Sequence, residues 1–195
     1  MPHVRIIAGS AKGMKLKTVR GNSIRPTGDR VKEALFNICG SRTAGTVFID
    51  LFAGSGAIGI EALSRGADCC VFVEHDRRHL AMIKDNLSKT GLAGRARLMP
   101  DSVPAALKRL SREKLQADLI FMDPPYLSPL IPAVLQIIHV TGLLKESGLV
   151  IVEHAAENRA WSELYRNKRQ KRYGGTCLTF IEHTDLAAAA AEEES

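Results

Sequence analysis

The chain has 195 residues, of which 45% are hydrophobic and 25% charged, and its net charge is +6. This length fits one domain with at most a small appendage, and the composition is that of a globular protein, which excludes disordered and fibrous classes. The apolar runs are far shorter than the roughly 20 residues that span a bilayer, and the first residues lack a signal-peptide core, so we expect a cytoplasmic protein.

The four cysteines argue against both a disulfide framework and a zinc site. They show no C-x-x-C spacing and no His-rich companion segment. We therefore expect reduced, mostly buried thiols and no bound metal ion. The cysteines are Cys39, Cys69, Cys70 and Cys177.

The excess positive charge lies in two flanks of a neutral body. Residues 1–46 hold nine Lys and Arg against two acids, and residues 47–162 hold thirteen of each. Residues 163–181 hold five bases against one acid, whereas residues 182–195 hold five acids and no base. A solvated basic surface accounts for part of this pattern. Its concentration into two segments favours a polyanionic partner, with nucleic acid as the first candidate.

The first predicted element is a basic β-hairpin. Residues 4–8 and 14–19 have the composition of strands, and the turn between them contains Gly9 and Gly13. An amphipathic helix follows, because Val31, Leu35 and Ile38 recur at helical spacing before Gly40. Asp29 is a candidate for the cap of this helix. The bases on and after the hairpin are Lys12, Lys15, Lys17, Arg20, Arg25 and Arg30.

From Val47 onward, apolar strands and amphipathic helices alternate, which predicts an α/β fold with a parallel sheet and helices on both faces. Two extended segments around Gly174 and Gly175 then predict a terminal hairpin. The Ala-rich residues 187–195 are of low complexity, and we expect them to be disordered. The predicted strands are 47–51, 69–73, 96–99, 119–122 and 149–152, the predicted helices end near 63, 90, 115 and 138, and the hairpin segments are 163–172 and 176–182.

A glycine-rich turn follows the first of these strands. Gly54, Gly56 and Gly59 have the spacing G-x-G-x-x-G, and Glu74 ends the next strand, 18 residues after Gly56. Glycines let the backbone approach a ligand closely, the helix N-terminus favours negative charge, and a carboxylate at position 74 can accept ribose hydroxyls. This pattern alone fits NAD equally well, and a tight turn without a ligand is also open.

Two acids near this turn favour a zwitterionic ligand over a pyrophosphate. Asp50 ends the first strand and suits the ammonium end of such a ligand. Asp101 and Ser102 follow the third strand and are positioned to read an adenine edge. The alternative for this pair is an acid that leads into a helix capped by Ser102.

The predicted strand 119–122 ends in a carboxylate, two prolines and an aromatic ring. Pro124 and Pro125 cannot continue a sheet, so the chain must turn at the carboxyl edge, where open α/β folds bind ligands. Asp123 and the Pro124 carbonyl are acceptors, and Tyr126 is a stacking face. These groups suit a planar base with an exocyclic amino group. The alternative is a strand-capping Asp before a proline turn.

Together these motifs carry a family resemblance. Asp50-x-x-x-Gly54-x-Gly56, Glu74, Asp101 and Asp123-Pro-Pro-Tyr126 resemble S-adenosylmethionine-dependent methyltransferases that modify exocyclic amines. The segments Arg5-Ile-Ile-Ala-Gly9, Arg25-Pro-Thr, and Gly54-Ser-Gly-Ala-x-Gly-x-Glu-Ala-Leu narrow this resemblance. They closely resemble the bacterial 16S rRNA guanine-N2 methyltransferases of the RsmD type, over about residues 3–182.

The resemblance implies a Rossmann-like seven-stranded methyltransferase sheet with a reversed last strand and an N-terminal β-hairpin extension. We expect the extension at residues 1–45, the methyltransferase domain at 46–183 and the tail at 184–195. S-adenosyl-L-methionine is the implied cofactor, and 16S rRNA, in a partly assembled small subunit, is the implied partner of a protein that we expect to be a monomer. An adenine-N6 methyltransferase acting on DNA or RNA, an NAD-linked oxidoreductase and a non-catalytic assembly factor are the alternatives.

The site residues follow position by position. Asp123, Pro124 and Tyr126 are implied to be catalytic. The implied cofactor set comprises Thr27, Asp50, Gly54, Ser55, Gly56, Glu74, Asp101 and Ser102. For RNA binding, the charge pattern and the resemblance together indicate Lys12, Lys15, Lys17, Arg20, Arg25, Arg30, Lys168, Arg169, Lys171 and Arg172.

Overall fold

The computed structural model describes residues 4–18, 28–125, 130–158, 160–165 and 168–193. They form two compact units, an N-terminal unit of residues 1–102 and a C-terminal unit of residues 103–195. In these described ranges, no helix is long and apolar enough to cross a membrane.

The strands form a mixed seven-stranded sheet. They are β1 Val47–Leu51, β2 Cys69–Val73, β3 Ala96–Met99, β4 Ala117–Met122, β5 Leu144–Ala155, β6 Arg169–Tyr173 and β7 Thr176–Glu182. The sheet order is β3-β2-β1-β4-β5-β7-β6. Pairing is parallel for β1 with β2, β2 with β3 and β4 with β5, whereas β7 runs antiparallel to β5 and β6. The predicted reversed last strand is therefore confirmed, and the fold is Rossmann-like.

The helices connect the strands in the expected alternation. They are α1 Asp29–Cys39, α2 Ala57–Ser64, α3 Arg77–Thr90, α4 Val103–Arg112, α5 Leu130–Val140 and α6 His183–Glu193. Helix α4 illustrates why these segments form helices: apolar residues spaced three to four apart form one buried face. They are Val103, Ala106, Leu107 and Leu110. Most predicted elements lie within a few residues of those observed.

Close helix–strand packing orders the N-terminal unit. Strands β1 and β2 are buried beyond their first residue, as expected for strands covered on both faces. A Cβ atom at Gly59 would lie 2.3 Å from the Phe72 ring and 2.6 Å from the Cys70 Sγ. Only glycine therefore allows α2 to lie this close to β2.

The N-terminal hairpin, residues 4–18, is paired but contains no regular strand. Arg5 and Lys15 form an isolated antiparallel bridge, and the Leu16 N–H donates to the Val4 carbonyl at 2.8 Å. The prediction of two full strands is wrong for the described residues. Its physical reason is that the Ile7 and Ala8 N–H groups donate to the Glu61 carboxylate of α2, at 2.8 and 3.0 Å.

Helix α1 begins one residue before the prediction. Asp29 is its first residue, and Gly28 holds the N-cap position without a side-chain cap bond. The prediction of Asp29 as the cap is therefore wrong. Its carboxylate instead lies 3.4 Å from the Arg5 guanidinium, so it connects α1 to the hairpin. The helix ends at Cys39, and Gly40 follows as its C-cap, which agrees with the predicted stop.

A 3-10 helix at Ala160–Leu164 replaces the first part of the extended segment predicted from residue 163. Trp161 explains the difference, because its indole N–H donates to the Asn158 carbonyl at 3.0 Å and its ring packs edge-on against His154. The burial of Trp161 thus favours a tight turn over a strand. The extended part, β6, begins at Arg169.

The Ala-rich tail lies in helix α6, so the prediction of disorder is wrong for residues 184–193. Alanine has the highest intrinsic helix propensity, and a packed face makes such a helix stable. Leu186 is buried, and the Asp185 carboxylate accepts the Glu182 N–H at 3.2 Å. These two side chains anchor the start of the helix, which lies against α5, β5 and β7.

Candidate active site

The parallel register of β1, β2 and β3 brings three acids to one edge of the N-terminal unit. Asp50 pairs with Phe72, and Val73 pairs with Met99. Glu74 directly follows β2, and Asp101 lies two residues after β3. The carboxyl ends of parallel strands share one edge, which is where such sheets bind ligands. The three acids therefore lie at the same edge as the glycine-rich loop that follows β1.

The loop between β1 and α2 has a backbone that suits glycine. Gly54 and Gly56 have φ angles of +56° and +75°, in the left-handed region. The Gly56 N–H donates to the Ala53 carbonyl at 2.7 Å, and Gly56 is the N-cap residue of α2. A Cβ atom at Gly56 would also lie 3.2 Å from the Ile83 side chain. The loop therefore turns tightly and directs the N-terminus of α2 toward this edge.

Glu74 is fixed against this loop by two backbone groups. Its Oε2 accepts the Gly54 N–H and its Oε1 accepts the Asp76 N–H, both at 2.9 Å. The Nδ1 atoms of His75 and His79 each lie 3.4 Å from one of these oxygens. A carboxylate has about four acceptor positions, so Glu74 retains capacity for the two hydroxyls of a ribose.

Asp50 is a buried carboxylate beside the same loop. Its Oδ2 accepts the Gly59 N–H of α2 at 2.9 Å. Burial raises the pKa of Asp50 to about 7; the Gly59 hydrogen bond opposes this rise, and the charge of Glu74 adds to it. A cation bound next to Asp50 would favour its ionised form. The site therefore fits a ligand with an ammonium group.

Asp101 and Ser102 complete the predicted cofactor residues in the N-terminal unit. Asp101 is half-buried, and Ser102 is exposed immediately before α4. Thr27 was also predicted to contact the cofactor, but it lies outside the described residues.

Asp123 and Pro124 belong to the C-terminal unit. Strand β4 ends at Met122, so both follow the strand directly, as predicted. Asp123 is half-buried, Pro124 is buried and Pro125 is exposed. Tyr126 lies outside the described residues. The described part of the turn therefore contains the Asp123 carboxylate and the Pro124 carbonyl.

The predicted RNA-binding residues are mostly exposed. Two of them have acidic neighbours: the Lys17 Nζ lies 2.7 Å from Asp85, and the Lys168 Nζ lies 3.9 Å from Glu163. Their charges are therefore partly neutralised. Arg20 and Arg25 lie outside the described residues. The exposed members are Lys12, Lys15, Lys17 and Arg30 in the N-terminal unit, and Arg169, Lys171 and Arg172 along β6.

Two buried polar residues near the site had no predicted role. Besides binding the hairpin, Glu61 lies 3.4 Å from the buried Lys32 ammonium and accepts the Arg65 Nε at 2.8 Å. Burial lowers the pKa of Lys32, and the Glu61 carboxylate opposes that effect. The signal in the sequence is a single acid within the apolar helix Ala57–Ser64.

The second of these residues is Asn86, which is fully buried in α3. Its Oδ1 accepts the Lys17 N–H at 2.8 Å, and its Nδ2 donates to the Lys17 carbonyl at 3.1 Å and to the Ser55 carbonyl at 3.0 Å. It therefore contacts both the hairpin and the glycine-rich loop. The signal in the sequence is an amide on the apolar stripe of Ile83 and Leu87.

Comparisons with known proteins identify the family of this chain. The family described as "Conserved hypothetical protein 95" matches residues 4–182. The YlbH protein of Bacillus subtilis (strain 168) is 41% identical over 154 residues, which cover 79% of this chain and 84% of that protein. The "Ribosomal RNA small subunit methyltransferase D" of Escherichia coli (strain K12) is 36% identical over 155 residues, which cover 80% and 76%.

A solved structure gives the same result for the fold. A hypothetical protein of Thermus thermophilus superposes with a TM-score of 0.78 at 33% sequence identity, over 92% of this chain and 99% of that chain. The match to the family thus extends from the hairpin through β7. The chain therefore belongs to the "Conserved hypothetical protein 95" family and is an RsmD-type methyltransferase.

Proposed function

We propose that this protein transfers a methyl group from S-adenosyl-L-methionine to the exocyclic N2 amine of one guanine in 16S rRNA of the small ribosomal subunit. The observation that carries the proposal is the buried Glu74 carboxylate bonded to the Gly54 N–H at the edge where Asp50 and Asp101 also lie. The name of the Escherichia coli relative supports the rRNA substrate. The choice of guanine-N2 follows from the family resemblance.

The cofactor residues divide among the parts of the donor. Gly54, Ser55 and Gly56 give the methionine portion a close backbone approach. Asp50 takes its ammonium group, and Glu74 accepts the ribose hydroxyls. Asp101, together with Ser102, binds the adenine amino group. Thr27 closes the cofactor site. When bound, S-adenosyl-L-methionine supplies an electrophilic methyl group on a sulfonium.

Asp123 and Pro124 prepare the amine for methylation. The lone pair of a guanine amino group is delocalised into the ring, so its nitrogen is a poor nucleophile. The Asp123 carboxylate and the Pro124 carbonyl each accept a hydrogen bond from one N–H of the amine. The lone pair is then free to attack the methyl group as the nitrogen pyramidalises. Such positioning supplies roughly 7–11 kcal/mol of a barrier, so no strong base is required. Asp123 or water then takes the proton.

The remaining residues hold the RNA. Tyr126 stacks on a base swung out of its loop, an interaction worth about 1–3 kcal/mol. The basic residues of the hairpin and of β6 contact phosphates without reading the sequence, because phosphate contacts position a nucleic acid and base contacts specify it. The partner is 16S rRNA, in a partly assembled subunit, and the protein acts as a monomer.

The test is methyl transfer from labelled S-adenosyl-L-methionine to 16S rRNA and to small-subunit particles that lack the modification, followed by nucleoside analysis. We expect N2-methylguanosine at a single loop position. Labelled N6-methyladenine would instead favour the adenine-N6 alternative. Tight donor binding without transfer to either substrate would contradict the assigned substrate.

A further inference from the structure

One buried amide connects the surface proposed to bind RNA with the loop proposed to bind the methyl donor. Asn86 is 0% exposed in α3, and all of its hydrogen-bonding groups have partners of 2.8–3.1 Å. Two of the bonds hold Lys17 at the end of the hairpin, and the third holds Ser55 between the two glycines of the loop. All three residues belong to the N-terminal unit.

We propose that Asn86 is a positioning residue that couples RNA binding on the hairpin to methyl-donor binding in the loop of residues 54–56. The inference rests on the proposed function, because it needs both ligands. The side-chain amide has two N–H donors and one carbonyl acceptor, and all three lie in one rigid plane. A shift of Lys17 therefore changes the bond to Ser55, since both carbonyls accept from the same nitrogen.

Other contacts of the hairpin reach helices instead of the loop. The Ser64 Oγ accepts the Ala11 N–H at 2.9 Å and donates to the Ala8 carbonyl at 2.6 Å. The Lys89 Nζ donates to the Lys15 carbonyl at 2.6 Å. These bonds attach the hairpin to α2 and α3. The Asn86 amide differs because its third bond ends on the backbone of the donor loop.

The consequence is thermodynamic. Coupling between two ligands is reciprocal, so RNA on the hairpin must tighten donor binding by the same factor by which the donor tightens RNA binding. The chain would then bind the donor weakly when free and more tightly once RNA is seated. Positive coupling of this kind favours the productive ternary complex over either binary complex.

The test is calorimetric titration of the full-length protein with S-adenosylhomocysteine, with and without saturating unmodified 16S rRNA. For the wild type we expect affinity roughly tenfold or more higher in the presence of RNA. Asn86→Asp keeps the size of the side chain and an acceptor for the Lys17 N–H, but it loses both donors. For this variant, we expect the ratio of the affinity with RNA to the affinity without RNA to fall to a value of about 1–3.

Asn86→Ala gives a second variant, and Lys89→Met is the matched control. Lys89→Met removes a bond between hairpin and α3 and touches no loop residue, so it should keep the wild-type ratio. Urea unfolding identifies any variant that is destabilised as a whole. A purely structural role for Asn86 would lower both affinities and leave their ratio unchanged, which would overturn the inference.

The outcomes separate this inference from the proposed function. A wild-type protein that binds both ligands with a ratio near one would overturn the inference alone. Absence of wild-type binding both to free 16S rRNA and to small-subunit particles that lack the modification would overturn both. An equal fall of the ratio in Lys89→Met and Asn86→Asp would also contradict the specific role of Asn86.

Discussion

At the scale of single residues, the site contains a carboxylate whose protonation differs between the folded and unfolded chain. Asp50 is buried with the Gly59 N–H as a hydrogen-bond donor, and burial raises its pKa to about 7 from an ordinary value of 3.8. Between these values the folded state holds a proton that the unfolded state has released. The contribution of Asp50 to stability should therefore fall as the pH rises through this window and stay level above it.

We predict that Asp50→Asn removes this pH dependence. From about pH 4 to 7, the unfolding free energy of the wild type should fall relative to that of the variant by on the order of 4 kcal/mol. Urea unfolding of both proteins at several pH values measures the difference, and comparing them cancels the other titrating groups. Parallel pH profiles would show that Asp50 ionises normally.

The second residue-scale prediction concerns turnover. Asp123→Ala should lower kcat by a factor on the order of 10²–10³, the usual cost of removing one positioned hydrogen-bonding group, while donor binding survives. Asp118→Asn is the matched control, because Asp118 lies near the start of the same strand and pairs with Lys145 at 2.7 Å. Single-turnover methyl transfer and donor titration give the two quantities. Unchanged turnover in Asp123→Ala would remove Asp123 from the site.

Residues at strand ends were predictable, whereas buried polar residues on helices were not. Glu74 and Asp123 each follow a short apolar run, so their place at the carboxyl edge follows from the strand that precedes them. Glu61 and Asn86 lie within helices, where a polar residue is usually assigned to solvent. Their partners, Ile7 and Lys17, are 54 and 69 residues away along the chain. Local sequence patterns do not show which residues meet across such separations.

At the scale of elements, the packing of α2 against β2 depends on the side chain that Gly59 lacks. Gly59→Ala should destabilise the protein by about 1–3 kcal/mol, because the overlap with Phe72 outweighs the better helix propensity of alanine. Gly94→Ala is the control, since no atom lies within 4 Å of its added Cβ. Urea unfolding measures the free energy of unfolding of both variants. Equal values for Gly59→Ala and Gly94→Ala would show that α2 can move away from β2 without cost.

The buried pair of Lys32 and Glu61 joins α1, α2 and the hairpin. Glu61→Ala should cost about 3–5 kcal/mol, because it leaves the Lys32 ammonium buried without its carboxylate. The double variant Lys32→Met with Glu61→Ala should recover part of this loss. A double-mutant cycle by urea unfolding measures the coupling. Strictly additive effects would mean that the two groups do not interact.

Element types were predicted best where burial on both faces leaves continuous apolar runs, as in β1, β2 and β4. The prediction failed at residues 163–164 and 184–193, and the reason is tertiary. Trp161 and Leu186 are each buried against other parts of the C-terminal unit, which converts a loop and a low-complexity tail into helical structure. Composition alone does not show such partners.

At the scale of the whole molecule, the separation of charge predicts how RNA binding responds to salt. Lys12→Gln with Lys15→Gln should reduce the slope of log affinity against log salt by about 1.4–1.8, because each phosphate contact contributes about 0.7–0.9. Lys108→Gln, on the exposed side of α4, should leave the slope unchanged. Filter binding of 16S rRNA at several salt concentrations measures both. An unchanged slope in the double variant would exclude these residues from the RNA surface.

The contacts of the N-terminal hairpin also constrain the order of events during synthesis. Its bonds reach Glu61, Ser64 and Asn86, which are 53 to 69 residues further along the chain. At about 5–20 residues per second, the ribosome needs roughly 3–14 s to add 69 residues. The hairpin can thus dock only after most of its unit has been made. Until those residues are made, none of these bonds can hold the basic residues of the hairpin in place.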